Sequence, residues 1–308
     1  MKADATAILG FAAHHLELGC HRLYLYLDAP CPEAEPLLAD HPKIRVIQCD
    51  AQYWKRRGIQ RPVKHQVRQS RNATHAYRRR PEVDWLAHID VDEFLWPADD
   101  IANALAALPK AQNVARVRPA ESLGGSFNHF KAFVPNDGKR EETVAALYPE
   151  FGTYVKGGFL SHVTGKVFVR TGIENVELRI HRAFFDGTPG DGTDLAGVDL
   201  LHCHVGDWED WLTAYRYRVE KGSYRAELSP ALPRTLGGAT LHELFTLLEE
   251  EEGKTGLRRF YDEVCADTPS LRERLSGRDL LLHRPLDLAG AISKQFPTWQ
   301  NCVPDRDN

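Results

Sequence analysis

Two periodicities alternate along the first third of the chain. Residues 6–18 (TAILGFAAHHLEL) carry apolar side chains at helical spacing and stop at Gly19, which predicts an amphipathic helix. The run LYLYL at 23–27 is short and continuously apolar, as expected of a buried strand. After a Pro-rich turn, a short helix ending near Asp40 is followed by a second strand, IRVIQ at 44–48. A helix over 63–79 and the run WLAHID at 85–90 repeat the order. Such alternation predicts an α/β fold whose central sheet is mostly parallel and flanked by helices.

The pattern changes beyond Pro97. A helix over 101–108 leads to the strand NVARVR at 113–118, and then glycines at 124, 125, 157, 158, 165 and 172 separate the β-like runs GKVFVR and VELRI. Long glycine-bearing loops over a sheet tend to carry function. From Asp207 onward helical spacing dominates, over 208–227, 241–252 and 256–265. Trp208, Trp211 and Tyr215 share one face of the first of these helices and are expected to pack it against the sheet. The acidic run Glu249 to Glu252 reads as a solvated helix end. No internal repeat or low-complexity tract interrupts the chain.

Composition adds limits. With 308 residues, 43% hydrophobic and 27% charged, the chain has the make-up of a folded globular protein. A net charge of −4 gives no global basic field, so nucleic acid is not an expected partner. The segment 54–80 is nevertheless rich in Lys and Arg, which fits a solvated helix face or a lure for an anionic ligand. No apolar run approaches the roughly 20 residues of a membrane span, and no signal-peptide pattern opens the chain. Six scattered cysteines without a CxxC pair fit reduced thiols. A cytoplasmic protein without a transmembrane segment is the resulting expectation.

The densest chemistry lies in HIDVDEFLWP, residues 88–97. A buried strand ends here in Asp90, Val91, Asp92 and Glu93, and in open α/β sheets such strand ends line the ligand crevice. Asp-x-Asp is a common tripeptide, but these charges stand between WLAHI and FLW, where burial is costly unless they coordinate something. A turn lets Asp90 and Asp92 converge on one cation. Their hard oxygens suit Mn²⁺ or Mg²⁺, which can also bind phosphates. The segment HCH places His202 and His204 on one face of a strand, and both are plausible Mn²⁺ ligands or ordinary hydrogen-bonding histidines.

Several blocks, taken in order, resemble the family 2 glycosyltransferases, above all the bacterial branch with an (I/V)DxDEF signature, and are similar also to family 92. GFAAHHLELGCHRLYLYLDAP resembles the family's opening helix and strand. SRNATHAYRRRPEVDWLAHIDVDEFL resembles its "ARN.A…A…DWL.FIDxDEF" block. GKVFVRTG, Ile180–His181 and LLHCHVGDWEDW are similar to its later blocks, so that the resemblance covers roughly residues 5 to 222.

The resemblance implies a GT-A fold over 1–228 with a helical C-terminal extension over 229–308. It implies a nucleoside-diphosphate sugar donor, UDP-sugar favoured, and a glycan or lipid-linked acceptor. Asp90 and Asp92 would hold the metal and diphosphate, with His202 as a further ligand and His204 as its alternative. Lys166 would contact phosphate. Arg71 and Asn72 would brace the sheet edge or touch the donor. Family members normally begin with a strand that contacts the nucleoside, whereas this chain reaches its first helix almost at once, so base and ribose contacts would fall to Asp28 and Asp50. Inverting displacement needs a carboxylate base. GDGTDL faintly echoes the family's base segment and offers Asp191 and Asp194, with Glu121 and Asp207 open. Two rival readings are a sugar nucleotidyltransferase and a catalytically inactive nucleotide- or glycan-binding module in polysaccharide assembly.

Overall fold

A computed structural model describes residues 1–79 and 81–299 of the chain; Cys302 lies outside them. The elements run α1 (Ala5–Glu17), β1 (Leu23–Leu27), α2 (Glu35–Asp40), β2 (Ile44–Gln48), α3 (Ala51–Arg56), α4 (His65–Arg78), β3 (Trp85–Ala87), β4 (Glu93–Pro97), α5 (Ile101–Ala106) and β5 (Val114–Ser122). They continue with β6 (His129–Lys131), α6 (Arg140–Leu147), β7 (Lys166–Arg170), β8 (Val176–Leu178), β9 (Ala183–Phe185), β10 (Thr188–Pro189) and β11 (Thr193–His202). The last elements are α7 (Trp208–Glu220), α8 (Leu241–Glu252), α9 (Lys254–Val264), α10 (Pro269–Ser276), β12 (Leu281–His283) and α11 (Leu288–Gln295).

The fold is α/β, but the sheet is mixed. β1 and β2 pair in parallel, Leu23 opposite Ile44 and Leu27 opposite Gln48, as the opening helix–strand alternation requires. The larger sheet has the order β12-β6-β5-β11-β4, with β7 joining β3 to β5. Its β3–β7, β5–β7, β5–β6 and β6–β12 pairs are all antiparallel. The expectation of a mostly parallel sheet is therefore corrected. β3 finds its partner in β7, a strand from beyond the region where helices and strands alternate, so the alternation rule does not govern that pair.

The chain forms two compact units. The first holds residues 1–117, 166–198 and 287 onward; the second holds 118–165 and 199–286. Of the stretch expected as a C-terminal extension, α8 to α10 and β12 thus belong to the second unit, and α11 to the first.

In the first unit α1 is capped by Asp4, whose carboxylate accepts from Ala7 N at 2.8 Å. Two adjacent histidines fasten this helix to β4. His14 Nε2 lies 2.8 Å from Leu95 O, and His15 stacks on Phe94 with its ring 7° from parallel. Burial pushes His15 down to about 3, so it is neutral and packs as an aromatic. Beside the end of β1, Asp28 N donates to Met1 O at 2.7 Å. α4 packs on the sheet through Ala73 and Tyr77, whose hydroxyl donates to Arg170 O at 2.8 Å.

In the second unit the core gathers around α7, α8 and α9. Trp211 is fully buried, Tyr215 nearly so, and Trp208 only half-buried against them. The rings meeting Trp211 are Phe245, Phe260 and Tyr261. α7 thus packs on α8 and α9 through Trp211 and Tyr215. Trp211→Ala should lower the unfolding free energy by about 3–5 kcal/mol, the usual cost of emptying a large aromatic site, and Trp208→Ala by clearly less. Urea unfolding of the two variants measures this; equal losses would contradict the burial difference.

Candidate functional site

The acidic segment lies where β3 stops. The strand ends at Ala87, three residues earlier than the apolar pattern predicts, and residues 88–92 turn the chain into β4. The turn braces itself: Glu93 N donates to Asp90 O at 3.1 Å, and Asp90 N donates to the Glu93 carboxylate at 2.9 Å. Glu93 is completely buried, while 26% of the Asp90 side chain is exposed. Asp92 is half-buried in the turn.

The register of β3 on β7 explains what meets this turn. Ala87 stands opposite Phe168, so the start of β7 lies beside the residues that leave β3. There Lys166, only 1% exposed, places its ammonium 2.6 Å from Asp90 Oδ2 and 3.3 Å from Glu93 Oε2. Burial disfavours this charge, yet Glu93 and Asp90 outweigh it and hold the lysine above its ordinary value. The other Asp90 oxygen accepts from Gln69 of α4 at 2.5 Å. Burial, aided by the Lys166 charge, pushes the neighbouring His88 down to about 4. Lys166 is thus an internal counter-ion to the acidic turn.

Other candidates of the first unit stand in structural roles. Asp28 receives Arg68 in a two-pronged pair, closest at 2.7 Å, and Arg61 at 3.0 Å. Burial would raise its pKa, but these guanidinium groups bring it below the usual carboxylate value. Asp50 caps α3 by accepting from Tyr53 N at 2.7 Å. Asn72 is buried, accepting from the Tyr53 hydroxyl at 2.7 Å and donating to Cys49 Sγ at 3.3 Å. Asp191 and Asp194 are exposed. The chain just after them meets the far end of β4 from the acidic turn, where Ala98 N donates to Gly197 O at 2.7 Å. The structure does not bring these two to Asp90.

The second unit gathers histidines. β11 ends on His202, which is 6% exposed, and its ring lies 5.1 Å from that of His204 and 5.2 Å from that of His162. Arg218 supports the group by donating to His204 O at 2.8 Å. His162 was not legible as a member, because it is distant in sequence and sits in an irregular loop. Gln69 likewise carries no sequence signal. Glu93 does have one, a charge opening an otherwise apolar run.

The two open base candidates are engaged. Asp207 caps α7, accepting from Asp210 N at 2.9 Å. Glu121 is fully buried, 2.8 Å from the ammonium of Lys131, and accepts from Leu160 N at 3.1 Å and Ser161 N at 2.7 Å. Burial would raise its pKa, but Lys131, then His204, pull it down to about 2.

Two outcomes follow from these ion pairs. Lys166→Met should cost about 3–5 kcal/mol in denaturant unfolding, because it strands Glu93 as a buried charge; a loss under about 1 kcal/mol would contradict that assignment. For Glu121, a folded value depressed from 4.5 to about 2 adds stability that is complete above pH 4.5 and disappears as pH falls towards 2. Over that interval the parent should therefore lose stability more steeply than Glu121→Gln, as read by unfolding at a series of pH values. Parallel slopes would remove Glu121 from the acid response. Compared with protein-family models and with curated proteins, the chain matches none.

Proposed function

We propose that this protein is a metal-dependent glycosyltransferase of the GT-A type, taking its sugar from a nucleoside-diphosphate donor and passing it to a glycan or lipid-linked hydroxyl. The observation that carries the reading is the braced turn between β3 and β4, which keeps Asp90 and Asp92 at a strand end and leaves part of Asp90 open. Asp90, Asp92 and Glu93 bring three carboxylates to this turn, and carboxylate oxygens suit Mn²⁺ or Mg²⁺. The donor set therefore fits the metal. Asp90 and Asp92 would hold it. Such an ion supplies positive charge to a diphosphate leaving group.

The residues of the chain do the rest of the work in this reading. Lys166 and Gln69 fix the Asp90 carboxylate from two sides, and His14 and His15 fix the strand that follows the turn. Such support is what keeps a ligand carboxylate in one geometry. Asp191 and Asp194, standing away from the turn, are given no part in proton transfer.

The test is release of nucleoside diphosphate from a panel of UDP- and GDP-sugars, with and without Mn²⁺. Asp92→Asn should abolish the Mn²⁺-dependent release with an unchanged unfolding midpoint. Gln69→Ala, which removes a group that fixes Asp90, should lower it about 10- to 100-fold, in the range found when a metal's supporting groups are disturbed. Turnover insensitive to chelator, or full turnover in Asp92→Asn, would overturn the metal-dependent reading. Donor binding without turnover would identify a nucleotide-binding module instead.

A further inference from the structure

Residues 51–79 contain nine Lys and Arg and no Asp or Glu, in a chain whose net charge is −4. Three of the nine serve the fold. Arg61 and Arg68 pair with Asp28, and Arg57 donates to the Tyr53 hydroxyl at 2.5 Å. Lys55, Arg56, Lys64, Arg71, Arg78 and Arg79 are exposed. None of these six has an ion-pair partner among the described residues.

These cations are arranged, not scattered. Along α4 and its N-cap the exposed positions include Lys64, Val67, Arg71 and Arg78, with half-buried His75 between the last two. Steps of three and four residues keep them on one helix face; the opposite face, with Asn72, Ala73, Ala76 and Tyr77, is buried. The end of α3 adjoins the exposed face, since Arg57 donates to Arg71 O at 3.4 Å. Among the cations stand two aliphatic side chains in water, Val63 at 95% exposure and Val67 at 39%. Next to them in sequence is an open hollow of about 560 Å³ whose lining includes Trp54, Lys55, Ile59 and Arg61.

Exposed valines ringed by cations fit one class of partner. Aliphatic groups enter the boundary between headgroups and acyl chains while Lys and Arg meet anionic headgroups. A single-stranded nucleic acid would use exposed aromatic rings for stacking, but Tyr53 and Trp54, the aromatic residues of α3, are buried. We propose that the face formed by α4 and the loop 57–64 docks on an anionic lipid bilayer, with Val63 inserted and Lys64, Arg71 and Arg78 on the headgroups. The docking is peripheral: no helix among the described residues is long and apolar enough to cross a membrane.

The full chain is sedimented with vesicles of phosphatidylcholine alone, and of phosphatidylcholine and phosphatidylglycerol in equal parts. It should bind the mixed vesicles, ignore the neutral ones, and be released as salt rises. Each basic residue near such a surface is worth about fivefold in partitioning. The triple variant Lys64→Gln, Arg71→Gln, Arg78→Gln should accordingly bind about a hundredfold more weakly, and Val63→Asp should weaken binding without changing the unfolding midpoint. If the triple variant is misfolded, the release of the parent by salt still decides. Failure to bind mixed vesicles at low salt, or unaltered binding by the folded triple variant, would overturn the proposal. So would duplex DNA that displaces the vesicles and is itself bound equally well by Val63→Asp, which would make the face a nucleic-acid surface.

Discussion

An ammonium group with almost no access to water has to be enclosed by negative charge, and the acidic turn is organised around that requirement. Lys166 is 1% exposed and lies against Asp90 and Glu93. Glu93 has no exposure at all, so without the lysine it would be a carboxylate in the interior, which costs several kcal/mol. The pairing therefore locks the start of β7 to the turn after β3. It also explains why β3 is short: Asp90 must leave the strand for its backbone N–H to reach Glu93.

The second unit solves the same problem with the signs of strand and loop exchanged. There the carboxylate, Glu121, ends on β5, and the lysine, Lys131, comes from β6, directly opposite in register. Glu121 also receives Leu160 N and Ser161 N, which ties the loop next to His162 to the strand. Lys131 donates in turn to Val264 O at 3.0 Å at the end of α9. Each partner thus has hydrogen bonds beyond the pair itself, which help to offset the cost of burying it. Such a pair gives no spare proton acceptor, and a buried carboxylate in a sequence is for this reason a poor guide to a catalytic base.

Local patterns were legible where burial is one-sided or continuous. LYLYL and IRVIQ form β1 and β2 as their composition requires, and the helix over 241–252 has a capping box between Thr240 and Glu243. The acidic turn stood out because charge interrupts an apolar run. Partner choice was not legible. Nothing in WLAHID says that its partner is β7, more than eighty residues on, and nothing in GKVFVR says that its lysine points inward. α6, α10 and α11 are short, eight residues each, and short helices draw their stability from packing more than from local sequence. The histidine group was half legible: HCH marks itself by strand spacing, whereas His162 joins only through the tertiary fold.

Charge in the first unit is sorted by what surrounds it. Asp28 meets two guanidinium groups with one carboxylate, so positive charge is in excess there, while Asp90 and Glu93 share the ammonium of Lys166. His65, in the first turn of α4, feels both groups: burial and Arg68 lower its pKa, and Asp90 and Asp28 act against them. Both groups therefore act on one helix N-terminus, itself a centre of partial positive charge. Among the described residues the exposed cations further along α4 have no such acidic partner, and this difference separates the inner, paired arginines from the outer stripe that faces water.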